Sequence, residues 1–218
     1  MPLKLEFHCH TRASKDSLTR PADLIKAARR KGLDRLVITD HNSIAGALEA
    51  QAIDPQLVIV GEEIMTTKGE ILAAFVREEI PPFLSPQETI RRLKAQGAFI
   101  SVSHPFDELR AGGWKESDLL EIAPFVDAIE VYNSRCILPR FNHRAREFAE
   151  KHHLAGTVGS DAHAAFEVGR SVLLLDQFTG PQEMRKVIRG ARFRVKWSPW
   201  WFHLTSRYAS IYKKLRKS

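Results

Sequence analysis

The feature that most constrains this chain is an alternation that runs along almost its whole length. Short β-rich runs recur, each followed by a stretch with helical signals. The strand-type runs fall at residues 3–9, 35–39, 57–60, 98–102, 128–132, 155–158 and 171–175, and 71–76 reads as an extra strand forming a hairpin. Between them, Pro21 opens a helix with Leu24, Ile25 and Ala28 inside and Gly32 at its stop. Ser85, Pro86, Gln87 and Glu88 make a capping box with proline at the first helical position, and Gly97 ends that helix. Further helices are expected over 139–153 and 181–190. Seven such repeats read as βα architecture. With 218 residues, 44% of them hydrophobic and 27% charged, the chain suits one domain with a sizeable core and excludes a disordered or fibrous class.

Charge and cysteine content narrow the partners. The net charge of +7 is not uniform: from Met184 onward there are 11 Lys or Arg and no Asp or Glu, which leaves 22 bases against 26 acids, a net of −4, over residues 1–183. Only the last segment therefore argues for a polyanionic or membrane partner. Cys9 and Cys136 cannot build a disulfide framework and no C-x-x-C spacing is present. A cytoplasmic chain without export signal or membrane span is expected, since no apolar run approaches the roughly 20 residues a spanning helix needs.

The polar residues best able to bind metal fall at the ends of the strand-type runs. His8 and His10 are two apart on a strand and share a face, with Cys9 on the other. Asp40 and His41 end the second run, Glu62 and Glu63 the third, Ser103 and His104 the fourth, Glu130 to Asn133 the fifth, and Asp161 and His163 the sixth. In a barrel of parallel strands those ends converge on one mouth, where active sites on such folds are built. The shared pocket would hold His8, His10, Asp16, His41, Glu63, His104, Asp161 and His163. A lone histidine is usually exposed or satisfied by one hydrogen bond, and His143, His152, His153 and His203 are read that way. Six successive strand ends are not readily produced by chance. Imidazoles and carboxylates crowded out of water require a counter-charge, and divalent cations supply it. Mixed nitrogen and oxygen ligands without cysteine suit zinc, manganese or iron(II), and more than four ligands imply more than one ion. Paired ions of this kind favour hydrolysis.

The stretches HCHTRASKDS at 8–17, ITDHN at 38–42, VGEEI at 60–64, SHPF at 103–106, IEVYN at 129–133 and GSDAH at 159–163 resemble the PHP superfamily, named for polymerase and histidinol phosphatase, in its small metal-dependent phosphoesterase branch. Their order and spacing cover nearly all of the body, to about Leu175. The resemblance implies an α/β fold, a distorted (β/α)7 TIM-like barrel with two or three divalent ions (Mn2+, Zn2+ or Fe2+) at its C-terminal mouth. Carried over by position, His8, His10, Glu63 and Asp161 look like one metal set, with Glu63 bridging to a second ion that His104 also holds. Asp16, His41 and His163 look like the third set. The family often presents another histidine near the fifth strand, where this chain has Glu130 and Asn133.

The expected activity is metal-dependent hydrolysis of a phosphomonoester, or of the phosphodiester of a nucleotide or short oligonucleotide, by a metal-activated hydroxide. Glu63, Asp161 and His163 stand at the centre of the catalysis. Arg135, Arg170 and Arg12, with Lys15, are candidates to grip phosphate oxygens. A histidinol-phosphate-type phosphatase and a noncatalytic PHP binding or regulatory module are the alternatives, and no obligate protein partner is evident. Residues 1–195 would form the phosphoesterase domain and 196–218 an aromatic, basic extension. In that extension Leu204, Tyr208, Ile211, Tyr212 and Leu215 recur on one helical face. The expectation is a basic amphipathic helix that packs this stripe on the barrel and leaves Arg207, Lys213, Lys214, Arg216 and Lys217 in water. An anionic membrane or single-stranded nucleic acid are the competing partners.

Overall fold

The computed structural model describes residues 2–217. Nine strands form one sheet: β1 (Leu3–Glu6), β2 (Arg35–Ile38), β3 (Val58–Met65), β4 (Glu70–Ala74), β5 (Phe99–Val102), β6 (Ala128–Asn133), β7 (Ala155–Gly159), β8 (Val172–Leu175) and β9 (Arg192–Arg194). Their spatial order is β7-β6-β5-β4-β3-β2-β1-β8-β9. The helices are α1 (Pro21–Arg30), α2 (Ala45–Ile53), α3 (Pro86–Ala95), α4 (Glu116–Ile122), α5 (Pro139–Lys151), α6 (Pro181–Val187) and α7 (His203–Lys217). Ser85 caps α3 as read, its Oγ accepting from Glu88 N at 3.2 Å, whereas the Glu88 carboxylate, expected to complete the capping box, accepts from Arg91 and Arg92.

β1, β2 and β3 pair in parallel, as do β5, β6 and β7. The expected hairpin strand is β4, antiparallel to both β3 and β5. β8 also runs antiparallel, against β1. That reversal has a local cause: a parallel return needs a crossover connection, and no helix lies between β7 and β8. These two reversed strands are the distortion in the barrel. Beyond β8, the far end of β1 turns to β7: His10 N donates to Ala162 O and Asp161 N to His8 O, both at 2.8 Å. The sheet thereby curls nearly shut, and its seam lies among the expected site residues.

Leu5, Phe7, Leu36, Ile38, Phe99, Ile129 and Val158 fill the core, with the Phe7 and Phe99 rings edge to face at 5.7 Å. A helix start read at Asn42 or Ser43 appears as α2, which begins at Ala45. α4 and β9 went unread in the sequence as elements, and the three residues of β9 are exposed on an edge.

The tail helix overturns one expectation. Leu204, Tyr208, Ile211, Tyr212 and Leu215 face solvent, with Leu215 75% exposed. The helix instead packs by Ala209 and the preceding Phe202, with Ser206 and Ser210 half-buried. Short side chains let the helix come close to the body, and Arg135 donates to both Phe202 O and Ser206 Oγ. Lys213, expected in water, donates to Arg12 O and Ser14 O in the loop after β1. The Lys217 side chain lies outside the described residues. No helix among the described residues is long and apolar enough to cross a membrane.

Candidate metal centre

All eight expected side chains meet at the mouth. The pleat of the strand leaving β1 turns His8 and His10 inward, while Cys9 turns into the core and donates to Val37 O at 3.3 Å. Glu63 on β3 lies between the rings. Its Oε1 is 3.4 Å from His8 Nε2 and 3.3 Å from His104 Nε2, and its Oε2 is 3.5 Å from His10 Nε2 and 2.9 Å from His41 Nδ1. Asp161 Oδ1 lies 3.2 Å from His10 Nε2 and 3.6 Å from His8 Nε2. Asp16 Oδ2 lies 3.2 Å from His163 Nε2 and 3.4 Å from His41 Nε2. Three overlapping groups could each hold an ion: His8, His10 and Glu63; His10, His41 and His163; His41, Glu63 and Glu70.

The donor set passes a physical test for such ions. His8 Nε2, His10 Nε2, Glu63 Oε2 and Asp16 Oδ1 are buried without a hydrogen-bond partner. The great majority of buried polar atoms are satisfied, so His8 Nε2, His10 Nε2 and Glu63 Oε2, unsatisfied and facing one another, call for a shared partner. Divalent cations would suit that role, because each of these atoms can act as a Lewis base.

Comparison with known proteins agrees. The PHP domain model matches residues 6–81 and the PHP-associated model residues 139–193, together more than half of the chain. An uncharacterized protein of Methanocaldococcus jannaschii, MJ0417, is 32% identical over 99% of this chain and 97% of its own. This chain belongs to the PHP family.

Two solved structures share the PHP fold. One is a two-domain protein of Bacteroides vulgatus described as containing a predicted PHP-like metal-dependent phosphoesterase. It superposes with a TM-score of 0.70 at 20% identity over 89% of this chain and 65% of that one. The other is a lesion-specific endonuclease of Pyrococcus furiosus, with a TM-score of 0.60 at 16% identity over 88% of this chain and 58% of that one.

The PHP mouth is held by an outer layer of hydrogen bonds. Glu130 Oε1 sits 2.9 Å from His8 Nδ1, and its Oε2 accepts from His104 N at 2.9 Å and Asn133 Nδ2 at 3.1 Å. Near the fifth strand, where the family resemblance led to an expected histidine, this chain thus places a carboxylate behind His8, which turns the His8 Nε2 inward. Asp40 accepts from Thr11 N, Thr11 Oγ1 and Ser14 Oγ, each at 2.6 Å, and Ser14 Oγ in turn lies 3.1 Å from His10 Nδ1. Asp40 therefore shapes the first loop, and it stands behind His10 through Ser14. Asp161 has φ of 52°, a left-handed backbone uncommon outside glycine, and this turns the chain sharply between β7 and His163.

The rings cannot all carry charge. Burial, with His163 and His41 close by, lowers the pKa of His10 to about 4, so its imidazole is neutral at pH 7. Burial opposes charge on His8 as well, but Glu63, Glu130 and Asp161 outweigh it and hold that pKa well above the usual range. Burial likewise opposes charge on Glu63, and the surrounding His8 and His41 outweigh it.

Two groups at the PHP mouth were missed in the sequence. Glu70, at the start of β4, points inward to lie 3.5 Å from His104 Nε2 and 3.6 Å from His41 Nδ1. Burial and the nearby Glu63 raise its pKa. The hairpin register was the available signal, since Glu70 is two residues from inward-facing Leu72, opposite Glu63. Arg110 bonds Asp161 Oδ2 and lies 3.1 Å from Asp107 Oδ2. It comes from a loop with no periodic pattern to point to it.

The three arginines expected at the substrate fare differently. Arg135 is 2% exposed and is occupied by Phe202 O, Ser206 Oγ and Asp161 O, with Glu167 at 3.8 Å. Arg170 donates to Trp197 O and lies over the Phe202 ring at 5.0 Å. Both therefore tie the tail to the barrel, because the guanidinium fork finds free carbonyls there. Arg12 pairs with Glu49 at 2.9 Å and lines an open cavity of about 620 Å³ beside His41, together with Lys15, Arg20, Tyr212, Lys213 and Arg216.

Proposed function

We propose that this PHP chain is a metal-dependent phosphoesterase acting on a phosphomonoester, or on the phosphodiester of a nucleotide or short oligonucleotide. The observation that carries this reading is Glu63, whose two oxygens face four imidazoles from three strand ends across unsatisfied donor atoms. His8, His10, Glu63 and Asp161 would hold one ion. Glu63 and His104 would hold a second, with Glu70 alongside, and Asp16, His41 and His163 a third. Bound Mn2+, Zn2+ or Fe2+ would supply an acidified water and neutralise charge on phosphate.

The chain itself orients and selects. Glu130 and Asp40 fix the rings, the neutral His10 keeps a lone pair available, and the cationic cavity beside His41 draws in an anionic substrate. Arg110 is the best-placed phosphate ligand, since its Nη2 is buried without a hydrogen-bond partner beside Asp161. The endonuclease likeness supports testing diesters alongside monoesters.

The test combines elemental analysis of purified protein with turnover of p-nitrophenyl phosphate and bis-p-nitrophenyl phosphate, before and after chelation and after Mn2+ or Zn2+ is returned. Metal-dependent hydrolysis of either ester is expected. Protein that carries no metal and stays inert after both additions would instead be a noncatalytic module. Screening nucleotides, dinucleotides and sugar phosphates then separates the nucleotide reading from a histidinol-phosphate-type phosphatase.

Two variants probe the supporting residues. Glu130→Gln should weaken metal affinity by about 10- to 100-fold, the usual cost of losing a carboxylate behind a ligating histidine. Titration of chelated protein with Zn2+ measures it, and unchanged affinity would remove Glu130 from the site. Arg110→Ala should lower kcat/KM by roughly 10- to 100-fold with metal content kept. Loss of metal instead would show that Arg110 only steadies Asp161.

A further inference from the structure

We propose that the outward face of α7 docks this protein on an anionic lipid bilayer, with the helix lying in the plane of the headgroups. A helix that packs on its own domain turns its apolar side inward, and α7 does the reverse. Ser206, Ala209 and Lys213 face the body, Ala209 at 2% exposure, with Lys213 bonded to the first loop. On the opposite side Leu204, Tyr208, Ile211 and Leu215 form a continuous exposed stripe over three turns. Trp200 and Trp201, in the turn that leads into α7, are 63% and 48% exposed. At 100° per residue, Arg207 and Lys214 flank one edge of that stripe and Arg216 the other. An apolar strip with tryptophans at one end and cations along both borders is the composition that holds a helix in a bilayer interface.

Charge decides between this occupant and its rivals. No Asp or Glu occurs from Met184 to the last residue, so a second copy seated on the same face would bring cations against cations with no acid to pair them. Nucleic acid would satisfy the charges and could stack on Tyr208, but the stripe is otherwise aliphatic. Leu204, Ile211 and Leu215 offer no flat ring for a base to stack on. An anionic bilayer satisfies both features at once, since acyl chains take the aliphatic side chains and lipid phosphates take the cations. This inference does not rest on the catalytic reading: it is argued from the exposed side of α7 alone, and of its bordering cations only Arg216 also lines the cavity beside His41.

The test is co-sedimentation of the full chain with vesicles of phosphatidylcholine alone and of phosphatidylcholine mixed with phosphatidylglycerol, at low and high salt. Binding to the mixed vesicles, lost at high salt, is expected, with a blue shift of tryptophan emission. Ile211→Asp with Leu215→Asp should lower the partition coefficient by roughly 100-fold. The triple variant Arg207→Gln, Lys214→Gln and Arg216→Gln should lower it by about the same factor. Both sets lie on exposed positions, so far-UV circular dichroism should match the parent protein. Three results would overturn the proposal: a folded parent chain that stays in the supernatant with both vesicles; a concentration-dependent dimer that Ile211→Asp dissolves; or retention of single-stranded DNA with no retention of vesicles.

Discussion

Glu63→Gln should abolish turnover and strip the protein of most of its metal. The substitution keeps the shape of the side chain and removes its charge from a position where its two oxygens reach His8, His104, His10 and His41. A neutral amide there offers one weak acceptor, and its NH2 would point at rings whose lone pairs face the same space. Cations that shared the carboxylate would lose both a ligand and several kcal/mol of charge stabilisation, which corresponds to a rate loss of at least about 10³-fold. Ser103 Oγ, which donates to Glu63 Oε1 at 2.6 Å, can still bond the amide oxygen, so the fold should hold and circular dichroism should be unchanged. Glu63→Asp restores the charge one methylene short and should recover part of the activity. Parent-like rates and metal content in Glu63→Gln would refute the bridging role outright.

Gly159→Ala tests the scaffold rather than the donors. A Cβ at this position on β7 would lie 2.3 Å from the His8 Cβ and 2.6 Å from Glu130 Oε1. Neither atom is the loose end of a flexible chain: one is fixed by the backbone leaving β1, and the other by its bond to His8 Nδ1, with the second oxygen of the same carboxylate held by His104 N. The strands would have to separate at the seam where the barrel closes. Overpacking of this kind costs about 1–3 kcal/mol, and a displacement of His8 by a fraction of an ångström to one ångström can cost roughly 100-fold in rate. The expected result is therefore a lowered denaturation midpoint with activity reduced out of proportion to it. Gly180→Ala is the control, since a Cβ there meets nothing within 4 Å; it should shift stability by no more than about 0.5 kcal/mol. Equal behaviour of the two alanine variants would show that the seam yields without disturbing the site.

Much of this centre could be read along the chain because strand periodicity is local. His8 and His10 must share a face if residues 3–9 are extended, and the acids and histidines at successive strand ends must converge if those strands are parallel. Glu70 was harder to read because it belongs to a reversed strand, where the chain presents its first residue, not its last, to the mouth. Glu130 lay in a run singled out as a strand end, yet its role depends on standing 2.9 Å from a ring 122 residues earlier, which spacing does not encode. Arg110, in an aperiodic loop, had no such pattern at all.

The tail shows the same boundary most clearly. Its sequence determined that a helix forms there and that an apolar stripe is bordered by cations, since both follow from a period of 3.6 residues. Which side meets the barrel was decided in three dimensions. Small side chains allow closer approach than tyrosine and leucine, and the buried fork of Arg135 captures the backbone at Phe202. Likewise the sequence by itself determined the βα repeat and the supply of imidazoles and carboxylates at its strand ends. Only tertiary structure decided which oxygen faces which nitrogen and which arginine reaches the mouth, because those contacts join residues far apart in the chain, and their geometry is set by packing rather than by local conformational preference.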